Sequence, residues 1–208
     1  MTPEGEREME AAFNDKRTLE VLSKMQAHQQ IAFGAACCER MLPNYETFMR
    51  EANWGDVGPL RRALDTAWDA CEGTHPQEVQ LRDLLSKCEQ SAPDSEEFTS
   101  LHTASAQDAA FSVCALLDFL LAGDVDRILS VPRFSTDSVD LIVQEQEEMD
   151  PRDPLREQKI LEHPLMQQEL VRQRRDLGEV LSISPGDRVA LLSLRTRARR
   201  ESNLTLAS

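Results

Sequence analysis

Apolar residues along this chain recur at helical rather than strand spacing. Leu60, Leu64, Ala67 and Trp68, for example, fall on one face of a helix. Aromatic residues make up only 5% of the chain, and β-branched residues do not alternate with polar ones over any convincing run. The pattern therefore predicts an all-α fold, a single irregular multi-helix bundle of about eight or nine helices.

Helix boundaries in the first half follow from glycine, proline and capping residues. A first helix is predicted from Asp15 to Met41, and its segment Ile31–Cys38 is apolar on most sides, as in a central buried helix. Pro43 should end that helix and open a short second one. A third helix should run to about Cys71, and a fourth should follow His75-Pro76.

The second half opens with the most apolar helix of the chain, predicted from Ser105 to Leu121. Pro132 should break or kink the next helix, and the proline-rich segment Asp150–Pro154 is the best candidate for a linker. The remaining predicted helices are Thr136–Met149, Pro164–Leu181 and Pro185–Arg199.

The domain organisation that follows is simple. Residues 1–14 are predicted to form an acidic N-terminal segment and a candidate mobile region, residues 15–200 a single helical domain, and residues 201–208 a C-terminal tail that is loose from Ser202 onward. No repeat of 20–50 residues is visible, which argues against a solenoid.

Cysteine usage and hydropathy indicate a cytoplasmic protein. The longest apolar stretch, Ala109–Ala122, is shorter than a membrane span and contains Asp118, and the glutamate-rich start does not resemble a signal peptide. An odd number of cysteines at irregular spacing argues against a disulfide framework and predicts reduced thiols. They are Cys37, Cys38, Cys71, Cys88 and Cys114.

The charge is large, negative and unevenly distributed. The net charge of −14 makes direct nucleic-acid binding unfavourable for the chain as a whole. From Pro164 onward, however, eight arginines and no lysine face five acidic residues. This basic end on an acidic body is compatible with a protein-docking face or a homo-oligomer contact, or simply with a solvated helix surface.

Motifs that carry chemistry are absent from the sequence. Neither GxGxxG, GxxxxGK[ST] nor GxSxG occurs, and the four histidines lack the spacing of a metal site. We therefore predict no cofactor, no metal and no catalytic residue. The histidines are His28, His75, His102 and His163.

One polar and aromatic cluster stands out as a candidate site. Arg61, Asp65 and Trp68 share a helix face at spacing i, i+4, i+7, and Arg61 can pair with Asp65. Such residues could form a structural ion network that fixes helix packing, or a pocket for a ligand or partner. The full candidate cluster is Glu39, Arg40, Tyr45, Asp56, Arg61, Asp65 and Trp68.

The same region carries a family resemblance. The segments Gln30–Phe33, Cys38–Met41 and Pro43–Tyr45, with Phe48, Gly55-Asp56, Arg61-Arg62, Leu64-Asp65 and Trp68, resemble the YjaG-like family, a bacterial domain of unknown function. Later similar positions are Pro93, Phe98, Asp108-Ala109, Pro164-Leu165 and Ser202–Leu204. The chain departs from the family at Leu101–Ser105, where a Tyr-Gly-Val-Tyr-Pro-like motif is usual, and at Leu170–Arg174, where tryptophans are usual.

The resemblance implies an all-α fold and a bacterial cytoplasmic setting, but no reaction and no catalytic residues. Two hypotheses remain. The first is a non-enzymatic helical interaction or adaptor protein with an unknown protein partner. The alternative is a small-ligand-binding protein or enzyme with a polar pocket around Glu39, Arg40, Asp56, Arg61 and Asp65.

Overall fold

A computed structural model describes residues 16–205 of the chain, and over this range all regular structure is helical. The all-α prediction is confirmed, whereas the predictions made for residues 1–14 and 206–208 lie outside the described residues. We number the helices α1 to α9, with the described part of α1 at 16–22. The others are α2 Ala27–Ala52, α3 Gly58–Cys71, α4 Glu78–Ser91, α5 Thr103–Ala122, α6 Val125–Gln146, α7 Arg156–Glu162, α8 Pro164–Val180 and α9 Arg188–Arg200.

Helix α2 is the central element, and α3, α5, α6, α8 and α9 all pack against it. Every residue from 30 to 42 is buried, which confirms the prediction of a central helix. The predicted end of this helix at Pro43 is wrong, because α2 continues through Pro43 to Ala52. Burial of Tyr45 and Phe48, both fully inaccessible, offsets the hydrogen bond that proline removes. The predicted first helix is instead interrupted at 23–26, before α2 begins.

Helix α5 forms the other half of the main core, against α2, α4 and α6. By length and composition alone this helix could cross a membrane, whereas the apolar stretch predicted within it, Ala109–Ala122, is shorter than a span. In the fold, 61% of its most apolar 18-residue window is buried. Its apolar surface is therefore largely occupied by neighbouring helices. Gly123 ends it in the left-handed conformation, at φ 70°.

Pro132, like Pro43, does not break its helix. Pro132 lies inside α6, where it is buried, and the helix runs on to Gln146. The carboxyl-terminal half of α6 packs with α7 and the start of α8 in a second, smaller core that contains Val139, Ile142 and Ile160. The short helix α7 was not predicted, because it follows directly on the proline-rich segment.

The C-terminal segment is attached to the bundle at one buried asparagine. Asn203 is completely inaccessible and its side chain bonds Asn44 of α2 at 2.9 Å and the carbonyl of Ser135 at 3.1 Å. Its backbone amide also donates to the carbonyl of Arg40. The prediction of a loose tail is therefore wrong at Asn203.

Candidate functional site

The candidate cluster separates into three groups in the structure. Glu39, Arg61, Asp65 and Trp68 lie together between α2, α3 and α9. Arg40, although adjacent to Glu39 in sequence, faces α8 instead, because neighbouring residues on a helix point about 100° apart. Tyr45 and Asp56 lie near the far end of α2. The seven residues therefore do not converge on one pocket.

The buried carboxylate of Glu39 is the centre of the first group. Its side chain is fully inaccessible, and it accepts hydrogen bonds from Trp68 Nε1 at 3.1 Å and Arg199 Nε at 3.2 Å. Arg61 donates to the other oxygen. Donors from α3 and α9 thus compensate for the loss of water around this carboxylate.

Asp65 lies at the outer edge of the same group, with 48% of its side chain exposed. It pairs with Arg195 and with Arg199, the latter at 3.1 Å. The predicted Arg61–Asp65 pair does not form, because Arg61 turns to Glu39. The guanidinium of Arg195 also lies over the Trp68 ring, 5.9 Å from its centroid.

Arg40 is the centre of the second group and has no exposed surface. It donates to Glu169 through Nε at 3.2 Å and Nη2 at 3.1 Å, and it also pairs with Asp176, again fully buried. Burial alone would lower the pKa of Arg40, but the Glu169 and Asp176 carboxylates hold that pKa above its ordinary value. Arg40 is therefore a permanent buried cation between two helices.

Further ion pairs connect the buried Arg40–Asp176 pair to the protein surface. Asp176 also accepts from Arg197 at 2.9 Å and from Arg175 at 2.8 Å. Arg175 bonds Glu201 at 2.8 Å as well, and this contact raises the pKa of Arg175. The second group therefore connects α2, α8, α9 and the residue that follows α9.

The third group, Tyr45 and Asp56, stabilises the chain near the end of α2. Tyr45 is fully buried and donates its hydroxyl to the carbonyl of Ser91 at 2.7 Å. Burial raises the pKa of this hydroxyl. Gly55 follows at φ 97°, and a Cβ there would lie 2.8 Å from the Tyr45 oxygen, so only glycine fits. Asp56 is exposed and accepts from the amide of Gly58 at 2.8 Å.

Residues suited to metal binding do not cluster in the part of the chain that the structure describes. No group of three or more His, Cys, Asp or Glu side chains there could hold a metal ion, and the prediction that no metal or cofactor is bound stays a prediction. All five cysteines are free and buried. Burial raises the pKa of Cys37 to about 12, which keeps this thiol protonated and unreactive at neutral pH.

Sequence reasoning missed the C-terminal partners of both ion networks. Glu169 and Asp176 are seven residues apart on one face of α8, and Arg195 and Arg199 are four apart on one face of α9. Both spacings, and the arginine excess after Pro164, were visible in the sequence. What sequence alone could not show is that these faces turn inward onto α2.

The opposite side of α9 has no partner among the described residues that fills it. A shallow groove runs along this side, and Val189 and Leu192 are 81% and 64% exposed within it. We call this surface the α9 outer face and define it as Arg188, Val189, Leu192, Ser193, Thr196 and Arg200. The buried stripe of the same helix, Leu191, Leu194 and Ala198, lies opposite.

Together, the fold and its two ion networks define an all-α bundle whose C-terminal helices are paired to a buried central helix. The chain belongs to the family described as "Protein of unknown function (DUF416)", whose sequence model matches residues 17–207. This confirms the resemblance drawn from the sequence.

Individual relatives agree with this assignment. The chain is similar to the "Uncharacterized protein YjaG" of Escherichia coli, at 27% identity over 71% of this chain and 74% of that protein. The chain is also similar to the "Uncharacterized protein YjaG" of Salmonella typhimurium, at 27% identity over 58% of this chain and 62% of that protein. A crystal structure of a DUF416 family protein from Shewanella baltica has a TM-score of 0.81 at 21% identity, covering 91% of this chain and 98% of that one. The latter similarity establishes a shared fold.

Proposed function

We propose that this protein is a non-enzymatic helical interaction protein of the bacterial cytoplasm, which binds another protein through the α9 outer face. The observation that carries the proposal is the exposure of Val189 and Leu192, one helical turn apart, on a helix whose opposite stripe of Leu191, Leu194 and Ala198 is buried. An apolar pair at this spacing is the kind of surface that helix-mediated recognition uses. Isolated exposed apolar residues are common, but this pair lies in a groove with arginines at both ends.

The internal pairing of the candidate cluster supports the same proposal. Each of its seven polar residues has a hydrogen-bond partner within the protein. Glu39 and Arg40, the two that carry most of the pairing, are inaccessible. The ligand-pocket alternative therefore has less support, because substrate would have to displace existing ion pairs to reach these groups.

Comparative affinity capture tests the proposal. The tagged protein and two variants, Leu192→Asp on α9 and Val79→Asp on α4, are used to capture proteins from the native cytoplasm. Val79 is a matched control because it is 77% exposed but lies on a different helix. We expect at least one protein to be retained by the parent and by Val79→Asp but lost with Leu192→Asp, with all three equally folded by circular dichroism.

Two outcomes would overturn the proposal. One is an identical set of retained proteins for the parent and Leu192→Asp. The other is a small molecule released at about one per chain on denaturation, combined with the absence of any protein whose retention depends on Leu192. The second outcome would favour the ligand-binding alternative.

A further inference from the structure

The charges around the exposed apolar pair specify the chemistry of what binds there. Arg188 lies at the start of the α9 outer face, with 77% of its side chain exposed, and Arg200 lies exposed at its end. The residues between the apolar pair and Arg200, Ser193 and Thr196, are neutral. The α9 outer face as defined therefore presents two cations. Arg197 and Glu201 also line the groove, but Arg197 is paired with Asp176 and Glu179.

Of the three nearby carboxylates, two are engaged away from the face and the third pairs with Arg188. Asp187 caps α9 by accepting from the amide of Ala190 at 3.1 Å, and Glu201 is bound to Arg175 at 2.8 Å. Glu72 reaches Arg188 at 3.1 Å, but this pair is exposed and therefore easily exchanged. Among the described residues, no ion pair holds Arg200. The positive charge at the end of the face is thus available to a partner.

We propose that the α9 outer face binds an acidic amphipathic helix of a partner protein. Apolar residues of that helix pack on Val189 and Leu192, and its carboxylates pair with Arg188 and Arg200. This inference rests on the proposed function and names the class of partner. Helix α9 has 13 residues, so at 1.5 Å per residue it offers about 20 Å, enough for roughly three and a half turns of a partner.

The net charge of the rest of the protein makes this recognition directional. The chain as a whole carries −14, so an acidic partner is repelled from most of the surface and attracted only where arginines concentrate. Unfavourable charge elsewhere suppresses wrong docking positions, which gives specificity in addition to affinity.

Charge also argues against binding of the α9 outer face to the same face of a second copy of the protein. If two α9 helices paired antiparallel about their midpoint at Leu194, Arg188 of one would lie opposite Arg200 of the other. Parallel pairing would place each arginine opposite its own counterpart. Both arrangements bring like charges together, which disfavours self-association through this face.

Selection from a displayed library of helical peptides, with charged and apolar positions randomised, tests the inference on the full chain. We expect the recovered peptides to be net negative, with apolar residues at spacing i, i+3 or i+4. Their affinity should fall at least tenfold for Leu192→Ser and for Arg188→Glu/Arg200→Glu, and it should weaken as salt increases. Val79→Ser and Arg82→Glu on α4 are matched controls that should leave affinity unchanged.

A charge exchange makes the test specific. Replacing the glutamates of a recovered peptide with lysine should abolish binding to the parent and restore binding to Arg188→Glu/Arg200→Glu. Recovered peptides that need Leu192 but are neutral or basic would overturn the acidic-partner inference while leaving the proposed docking function intact. Two other results would overturn this inference. One is the recovery only of peptides whose affinity does not change with substitutions on α9, and the other is a dimer in sedimentation analysis that Leu192→Ser abolishes. The proposed function would still be tested separately by the capture experiment.

Discussion

Arg40 and Glu169 form a two-bond ion pair in the interior of the protein, with neither side chain exposed to solvent. The two residues are 129 positions apart in sequence and lie on α2 and α8. The guanidinium has planar donors that match a carboxylate, and its remaining donors reach Asp176 and the sulfur of Cys37 at 3.4 Å. A buried pair of this kind fixes which helix faces meet, and its removal leaves uncompensated charge.

We therefore predict that Arg40→Met lowers the free energy of unfolding by about 3–5 kcal/mol, because it leaves the Glu169 and Asp176 carboxylates buried without their cation. Arg40→Lys should also destabilise, since one ammonium cannot reproduce the two parallel bonds. Urea denaturation at constant slope measures both changes. The control is Arg82→Met, which removes an exposed pair on α4 and should change stability by about 0.5 kcal/mol or less. Equal effects at Arg40 and Arg82 would contradict the prediction.

Local patterns in the sequence were sufficient to predict the fold class but not the continuity of the helices. The stripe Leu60, Leu64, Ala67 and Trp68 is buried as its spacing predicts. Pro43 and Pro132 were expected to end or distort helices, but both helices continue through them. The cost of a proline in a helix is local, whereas the burial that outweighs it comes from residues far along the chain.

The candidate site was predictable in composition but not in pairing. Glu39 and Arg40 were predicted as members of one polar and aromatic cluster, and their burial is the reason they need partners. Glu39 has two of its partners on α3, but Arg199, which also bonds it, and Glu169, which bonds Arg40, lie more than 120 residues away on α9 and α8. Periodicity indicates which residues share a face, but it does not indicate which distant face packs against it.

Trp68 and Asp65 should behave differently, although they share a helix face. Trp68 is 2% exposed, so Trp68→Ala should create a cavity and cost about 3–5 kcal/mol. Asp65 is 48% exposed, so Asp65→Asn should cost only about 1 kcal/mol or less, because solvent screens its pairs with Arg195 and Arg199. Urea midpoints of the two variants beside the parent provide the measurement. A clear rise in the midpoint of Asp65→Asn would instead indicate charge stored for binding.

The C-terminal attachment at Asn203 should contribute measurably to stability. Asn203→Ala removes the acceptor for Asn44 Nδ2 and the donor to Ser135, leaving buried polar groups unpaired. We expect a loss of about 1–3 kcal/mol in urea denaturation. Thr205→Ala, a change at an exposed neighbour, should have little effect. An unchanged midpoint for Asn203→Ala would indicate that the segment is detached in solution.

The cysteines should be inert in the native protein. Burial raises the pKa of Cys71 and of Cys88 to about 12, and it also raises the pKa values of Cys38 and Cys114. We expect no rapid reaction with Ellman's reagent at pH 8, followed by reaction of five thiols in urea. Mass spectrometry without reductant should show no intrachain bridge. One fast-reacting thiol in the folded protein would contradict this expectation.

The buried carboxyl of Asp108 should make the stability of the folded protein depend on pH. Its carboxyl accepts from Ser138 Oγ at 2.9 Å in the interface between α5 and α6, and burial raises its pKa from 3.8 to about 6. Since the folded-state pKa is above the unfolded value, the folded protein binds more protons between these values. The contribution of Asp108 to stability is therefore greatest below pH 3.8 and declines as pH rises through about 6.

Asp108→Asn, which is neutral at every pH and can still accept from Ser138, should remove this dependence. We expect the variant to be more stable than the parent at pH 7.5 by about 1–3 kcal/mol, with the difference shrinking toward zero as pH is lowered to 4. Urea denaturation across this range measures the effect. Asp83→Asn, at an exposed site on α4, is the matched control, and its stability relative to the parent should not change in this way between pH 4 and 7.5. If Asp108→Asn were instead less stable than the parent at pH 7.5 and equal to it at pH 4, the ionised carboxylate would be stabilised in the fold. Burial would then not be the dominant influence on this residue.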